Sequence, residues 1–137
     1  MEETFKLTRS QADIMIEQAQ VGESREICGM IGGIGTVASK IFPTVNIDES
    51  DITYKIDPKE QFAIMRALRE EKLELVGIYH SHPETEAYPS SADISLAFYP
   101  EAHYLIISLQ KKDDPLIRAF KIINGVVKEL RLEIESD

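Results

Sequence analysis

Two spacings of hydrophobic residues alternate along the chain, and each predicts a different kind of element. Apolar residues that recur every three or four positions predict helices, whereas alternating or nearly continuous apolar runs predict strands. On this basis we expect helices at 9–21, 58–72 and 92–99. Strands are expected at 4–7, 27–34, 37–45, 74–81, 103–109, 116–123 and 126–134.

Local start and turn signals agree with these boundaries. Thr8 and Gln11 have the spacing of a capping box ahead of the first helix, and Pro58 suits the first turn of the second. The dipeptide Asn124-Gly125, a strong hairpin signal, joins the last two strands. Because a hairpin and three final strands accompany the helices, the order predicts a mixed β-sheet sandwiched by helices, in the α/β class.

The amino-acid composition limits the number of domains, the possible partners and the cellular location. A chain of 137 residues, 43% of them hydrophobic, can fill one core, so we expect a single domain over residues 1–137. The net charge of −9, with no basic stripe, argues against nucleic acid as a partner. Neither a membrane span nor a signal peptide is present in the pattern, and the single Cys28 suits a reducing compartment. We therefore expect a cytoplasmic protein without membrane contact.

The fourth expected strand ends in a pair of histidines. His80 and His82 are two positions apart, so both imidazoles lie on one face of the strand, and Pro83 keeps His82 in extended geometry. Asp93 follows eleven positions later, in the first turn of the third helix. Two imidazoles and one carboxylate suit Zn²⁺ and leave its fourth tetrahedral position open, which is typical of a catalytic site.

Two further residues fit the remaining chemical roles. Glu26, at the start of the second expected strand, can take a proton from a water and pass it to a leaving amine. The Ser90 hydroxyl can accept from the first amides of its helix while donating to a developing oxyanion. Taken alone, Ser90 and Asp93 also form an ordinary capping box, and Glu26 alone is an ordinary solvated acid.

Other residues of reactive type are better explained as structural. His103 has no partner at ligand spacing, and Cys28 lies on an apolar strand without an adjacent base. The glycines between positions 29 and 35 resemble a phosphate-binding loop only weakly, because they occur in a hairpin context and no Lys-Ser or Lys-Thr follows. By contrast, two histidines on one face of a buried strand are costly unless something binds them.

The ordered pattern of Glu26, His80-Ser81-His82-Pro83, Ser90 and Asp93 closely resembles the motif of the JAMM (MPN-type) zinc metalloproteases. The resemblance implies a cytidine-deaminase-like α/β/α sandwich in which the two histidines and the aspartate bind zinc. It also implies a glutamate base and a serine that stabilises the oxyanion. Related deaminases use a Pro-Cys-x-x-Cys turn for their metal, and this chain has none, which argues against deamination.

Family members of this kind cleave peptide or isopeptide bonds after the C-terminal glycines of ubiquitin-like proteins, including sulfur-carrier proteins, and this short chain resembles the minimal prokaryotic type. Two alternatives stay open. One is a metal-free scaffold of the same fold that binds protein partners, and the other is a zinc hydrolase of unrelated small peptides or amides. The pattern leaves the identity of the substrate and the oligomeric state open.

Overall fold

The computed structural model describes residues 3–137, and the elements occur in the predicted order. The helices are α1 (Arg9–Gly22), α2 (Pro58–Glu70) and α3 (Ser91–Ser95). The strands are β1 (Thr4–Thr8), β2 (Cys28–Ile34), β3 (Val37–Thr44), β4 (Glu74–His82), β5 (His103–Ser108), β6 (Leu116–Ile123) and β7 (Val126–Glu135). Within residues 3–137, no helix is both long and apolar enough to cross a membrane.

The seven strands of the described residues form one mixed sheet, as the element order predicted. Its strand order is β1-β3-β2-β4-β5-β6-β7, and β1 then pairs with β7, so that the sheet closes into a barrel. The pairs β1/β3, β1/β7 and β4/β5 are parallel, and the remaining neighbours are antiparallel. The closure was not predicted, because the sequence pattern does not show which edge strands meet.

The central strands bury side chains on both faces. On one face, Ile31 and Tyr79 pack in a cluster with Met15 of α1. On the other face, Met30 packs with Leu68 of α2. Side chains of successive strand residues point to opposite faces, which explains the near-continuous apolar run of β4. The strand that carries the histidine pair is therefore held by packing on both sides.

Two helices end more than one residue before the predicted position. The second helix, expected to run to 72, ends at Glu70, and Lys72 adopts a positive φ of 59° that terminates the helical turn. The third helix, expected at 92–99, ends at Ser95. The Tyr99 N–H donates to the hydroxyl of Tyr104 at 3.1 Å instead of continuing the helical ladder, and Pro100 disfavours helical geometry at Tyr99.

Candidate metal centre and catalytic cleft

His80 and His82 lie at the carboxyl end of β4, which pairs with β2 on one side and with β5 on the other. Because they are two positions apart, both imidazoles lie on one face of the sheet, as predicted. Their Nε2 atoms are 3.1 Å apart, and both side chains are buried. The ladder bonds on both sides of β4 fix the backbone from which the pair projects.

Asp93 completes the cluster from α3. Its Oδ2 atom lies 3.1 Å from Nε2 of His80 and 3.0 Å from Nε2 of His82. The same Oδ2 accepts a hydrogen bond from the Ser90 N–H at 2.9 Å, and the Asp93 N–H donates to Ser90 Oγ at 3.1 Å. The capping box is thus present, and it orients the carboxylate toward the histidines. The capping box and the candidate ligand role of Asp93 are therefore compatible, because one arrangement of Ser90 and Asp93 serves both.

The surroundings of the cluster favour a neutral His80 and an ionised Asp93, whereas they favour a protonated His82. Burial lowers the pKa of His80 despite its hydrogen bond with Asp93, which favours the neutral imidazole. For Asp93, burial acts to raise the pKa, but hydrogen bonds with His80 and His82 lower it overall, which favours the carboxylate. For His82, burial acts to lower the pKa, but hydrogen bonds with Asp93 and the Glu86 carbonyl raise it overall, which favours the protonated imidazole in the metal-free protein. A divalent cation would compete with protons for the lone pairs of these three groups.

The donor set fits a tetrahedral zinc ion. Ligands at about 2.0–2.2 Å from Zn²⁺ lie about 3.4 Å from one another in that geometry. The three atoms that face each other, from His80, His82 and Asp93, are separated by 3.0–3.1 Å. Nδ1 of His82 lies 2.8 Å from the Glu86 carbonyl, so it carries the proton and leaves the Nε2 lone pair free. The residues are therefore compatible with the metal in spacing and atom type, and His82 is compatible in tautomer as well.

Glu26 is fixed by its backbone rather than by its carboxylate. Its N–H donates to the Ser50 carbonyl at 2.9 Å, and its carbonyl accepts from the side-chain amide of Asn46 at 3.0 Å. The next residue, Ile27, donates its N–H to the hydroxyl of Ser81 at 2.9 Å. Since Ser81 lies between the two histidines, this bond ties the Glu26 segment to the strand that carries them.

The prediction that Glu26 begins the second strand is wrong by two residues. β2 starts at Cys28, where pairing with His80 begins, whereas the backbone of Glu26 bonds to the loop that follows β3. This shift places the carboxylate ahead of the ladder, where its Oε1 is buried and finds no hydrogen-bond partner among the described residues. An unpaired acceptor near a cluster of candidate metal ligands is suited to hold a water or its proton.

The surroundings of Glu26 favour its protonated form. Burial raises the pKa of this carboxyl from 4.5 to about 8, with Asp93 and Asp51 adding to the effect and His82 opposing it. A carboxyl with a pKa in this range exchanges protons near neutral pH, which is the property required of a general base that later acts as an acid.

A cleft of about 320 Å³ opens beside Glu26. Its wall includes His82, so the cleft reaches the ligand cluster, and it includes Ser90, whose side chain is exposed. The remaining lining residues are Ser24, Asp51, Ile52, Pro83, Glu84 and Thr85. A substrate in this cleft would lie against an acid, a hydroxyl and one of the histidines.

Two contacts of the site were missed by the sequence analysis. The ring of Tyr54 stacks on His80, with centroids 4.5 Å apart and an angle of 19° between the planes. Asn46 donates to Glu26 and to the Thr53 carbonyl. Both lie between β3 and α2, a stretch without periodic pattern. Asparagine is common in turns, which could have marked Asn46 as a loop organiser, but not as a contact of Glu26.

The residues expected to be structural lie outside the cluster. His103 is buried at the first position of β5, level with Gly77, whereas the metal-ligand candidates lie toward the other end of the sheet. Cys28 is buried on β2. The glycine-rich segment forms the β2/β3 hairpin, with Gly35 in the turn at a φ of 63°. This geometry does not match a strand that leads into a helix around a phosphate.

Known proteins resemble this chain over most of its length. The CysO-cysteine peptidase of Mycobacterium tuberculosis is 34% identical over 117 residues, which cover 84% of this chain and 80% of the relative. The desampylase of Haloferax volcanii is 31% identical over 138 aligned residues, which cover 96% of each chain.

Solved structures share the fold. A protein from Desulfitobacterium hafniense superposes with a TM-score of 0.88 at 33% identity, over 97% of this chain and 94% of that one. A structure described as a metalloprotease-like JAMM zinc site of the proteasome and signalosome superposes with a TM-score of 0.60 at 18% identity. That superposition covers 95% of this chain and 98% of the other. The family model described as prokaryotic homologues of the JAB domain matches residues 8–123, and the chain therefore belongs to this family.

Proposed function

We propose that the protein is a zinc-dependent peptidase or isopeptidase that cleaves after the C-terminal Gly-Gly of ubiquitin-like or sulfur-carrier proteins. The observation that carries the proposal is the convergence of His80, His82 and Asp93 beside the unpaired carboxylate oxygen of Glu26. The CysO-cysteine peptidase and the desampylase, whose names describe cleavage of such substrates, support the substrate class. The complete ligand set weighs against the alternative of a metal-free scaffold.

The roles of the residues follow from their positions. His80, His82 and Asp93 would hold the ion, which when bound supplies a Lewis acid and lowers the pKa of a coordinated water to about 7. Glu26 takes one proton of the attacking water as that water adds to the carbonyl carbon. The Ser90 hydroxyl donates to the developing oxyanion. Glu26 then delivers its proton to the nitrogen as the C–N bond breaks, so that a carboxylic acid and an amine leave.

The fold also supports finer proposals. We infer a cytidine-deaminase-like sandwich, because α1 and α2 pack on opposite faces of the central strands. Residues 1–137 form one domain in this proposal, supported by the pairing of β1 with β7. We also infer a cytoplasmic location, with which the single, buried thiol of Cys28 is compatible.

The test uses purified protein and defined substrates. The CysO carrier with a cysteine added to its C-terminus, and an isopeptide conjugate of the same carrier, are incubated with the protein and followed by intact mass. We expect release of the added group, loss of cleavage after chelation, and recovery when zinc is added. Cleavage that continues in the chelated protein, or no cleavage of either substrate after zinc loading, would count against the proposal.

A further inference from the structure

If Glu26 acts as proposed, the cleft beside it receives the leaving amine. In the proposed function, Glu26 must bring its proton to the departing nitrogen, and this requires hydrogen-bond reach between the two atoms. Glu26 is buried, lines this cleft and has an Oε1 atom without a partner among the described residues. The group attached to that nitrogen would therefore lie along the part of the wall that adjoins Glu26.

The wall of this cleft carries negative charge. Asp51 and Glu84 line it together with Glu26, and no lysine or arginine is among its described lining residues. A second cleft of about 350 Å³ shares Ser24, Pro83 and Glu84 with the first, so the two are adjacent. The second cleft adds the acid Glu23 and the base Lys112.

This wall distinguishes two kinds of leaving group. A single amino acid released from the carrier brings a free carboxylate next to the nitrogen, and the carboxylates of the cleft wall repel it. A lysine side chain within a basic segment of a protein brings cationic neighbours, which the same carboxylates attract. Both effects act over a distance comparable to the Debye length of about 10 Å at moderate ionic strength, so they extend to residues that flank the lysine.

We propose that Asp51 and Glu84 are specificity-determining residues that favour isopeptide bonds to lysines in basic segments over amides of a free amino acid. The proposal rests on the proposed function, because only that function makes this cleft the leaving-group side. Asp51 and Glu84 are exposed, so each contributes as a surface charge does. An exposed pair between one of these carboxylates and a charge on the substrate changes a rate constant by a factor of about two to five, and two such pairs change it by about tenfold.

The test compares three amides that share the CysO carrier as the acyl part. In the first, the carrier is joined to the side-chain amine of the lysine in the peptide amide Arg-Lys-Arg. In the second, the peptide amide is Glu-Lys-Glu, and in the third the carrier ends in a cysteine with a free carboxylate. We expect kcat/KM to be about tenfold or more higher for the first than for the other two, and the ratio to shrink as salt is added.

Two double variants test whether Asp51 and Glu84 cause the preference for the basic amide. The double variant Asp51→Asn/Glu84→Gln should reduce the preference to within about threefold, by slowing the basic amide and accelerating the other two. The control variant Glu133→Gln/Glu135→Gln also removes two negative charges, but from β7, where both residues are exposed and pair with β1. It should leave the ratio unchanged.

The outcomes separate the inference from the function. Equal cleavage of the three amides by the wild-type protein would overturn the specificity role and leave the proposed function intact. The same holds if the Asp51→Asn/Glu84→Gln variant keeps the wild-type ratio. If none of the amides is cleaved after zinc loading, the proposed function fails, and the inference fails with it.

Discussion

Glu26 combines a fixed backbone with an unpaired carboxylate oxygen. Three bonds, to Ser50, to Asn46 and from Ile27 to Ser81, fix the main chain around it, whereas Oε1 has no partner among the described residues. A side chain held in this way can accept a proton without losing an existing bond. Because backbone bonds hold the residue in place and the carboxylate is left to react, a substitution of the Glu26 side chain tests the chemistry of the site directly.

The substitution Glu26→Gln keeps the shape of the side chain but removes its basicity. We expect kcat to fall by about 10²–10⁴-fold, since a positioned general base contributes roughly that much. Zinc content should stay at the wild-type level, because His80, His82 and Asp93 are unchanged. The measurements are steady-state cleavage of the carrier substrates and metal analysis of the purified variant. A variant with wild-type kcat would remove Glu26 from the proposed role.

The same substitution has a second, pH-dependent consequence in the metal-free protein. Burial raises the pKa of Glu26 from 4.5 to about 8, so between these values the folded protein retains a proton that the unfolded chain has lost. The contribution of Glu26 to stability therefore falls as pH rises through this window. Glu26→Gln should exceed the wild type in free energy of unfolding by about 1–3 kcal/mol at pH 8 and match it near pH 4.

Urea unfolding of the chelated proteins at both pH values measures this difference. A Glu17→Gln variant, which alters an exposed acid of α1, should follow the wild type at each pH. A stability difference for Glu26→Gln that is the same at pH 4 and pH 8 would show that burial does not shift the titration of this carboxyl.

At the level of elements, the segment between β3 and α2 organises the site. Asn46 donates to the carbonyls of Glu26 and Thr53, at 3.0 and 2.9 Å. Its Oδ1 accepts from the N–H groups of Asp48 and Lys55, at 3.0 and 2.9 Å. One amide thus uses both donors and both lone pairs. The Asn46 side chain thus holds the loop closed and attaches it to Glu26, the proposed general base.

The substitution Asn46→Ala should disturb the base without disturbing the metal ligands. We expect kcat to fall by about ten- to a hundredfold, because small displacements of a catalytic group have effects of that size, while KM and zinc content change little. The measurements are steady-state kinetics and metal analysis on folded protein. Asn124→Gly removes the other asparagine side chain at a turn where φ is 52°, which glycine tolerates, and should keep wild-type kcat. Wild-type kcat in Asn46→Ala would contradict the assignment.

At the level of the whole molecule, the candidate ligands join two parts of the fold. His80 and His82 belong to β4 in the centre of the sheet, whereas Asp93 belongs to a helix of five residues that has little packing of its own. An ion that binds all three would connect α3 to the sheet in the folded state only. Metal binding should therefore stabilise the fold as a whole by mass action.

Zinc at about one hundred times its dissociation constant should raise the free energy of unfolding by about 2.7 kcal/mol. Thermal melts with and without zinc measure the resulting increase in Tm. The Asp93→Ala variant should lose most of this increase, whereas Asp113→Asn, at an exposed turn, should keep it. An equal increase in wild type and Asp93→Ala would place the stabilising ion elsewhere.

The sequence by itself determined the element order, the mixed sheet and the pairing of His80 with His82 on one face of a strand. These features depend on local periodicity and on residues close together in the chain, where side-chain direction follows from backbone geometry. The capping box also predicted that Ser90 and Asp93 act together, as they do at the start of α3.

Only the tertiary structure decided the rest. The closure of β1 against β7, the stacking of Tyr54 on His80 and the support of Glu26 by Asn46 join residues that are far apart in sequence or lie in loops. Such contacts depend on how strands align and on how a loop satisfies its backbone groups, which no local period records. The burial that raises the pKa of Glu26 arises in the same way, from packing by residues that are distant in sequence.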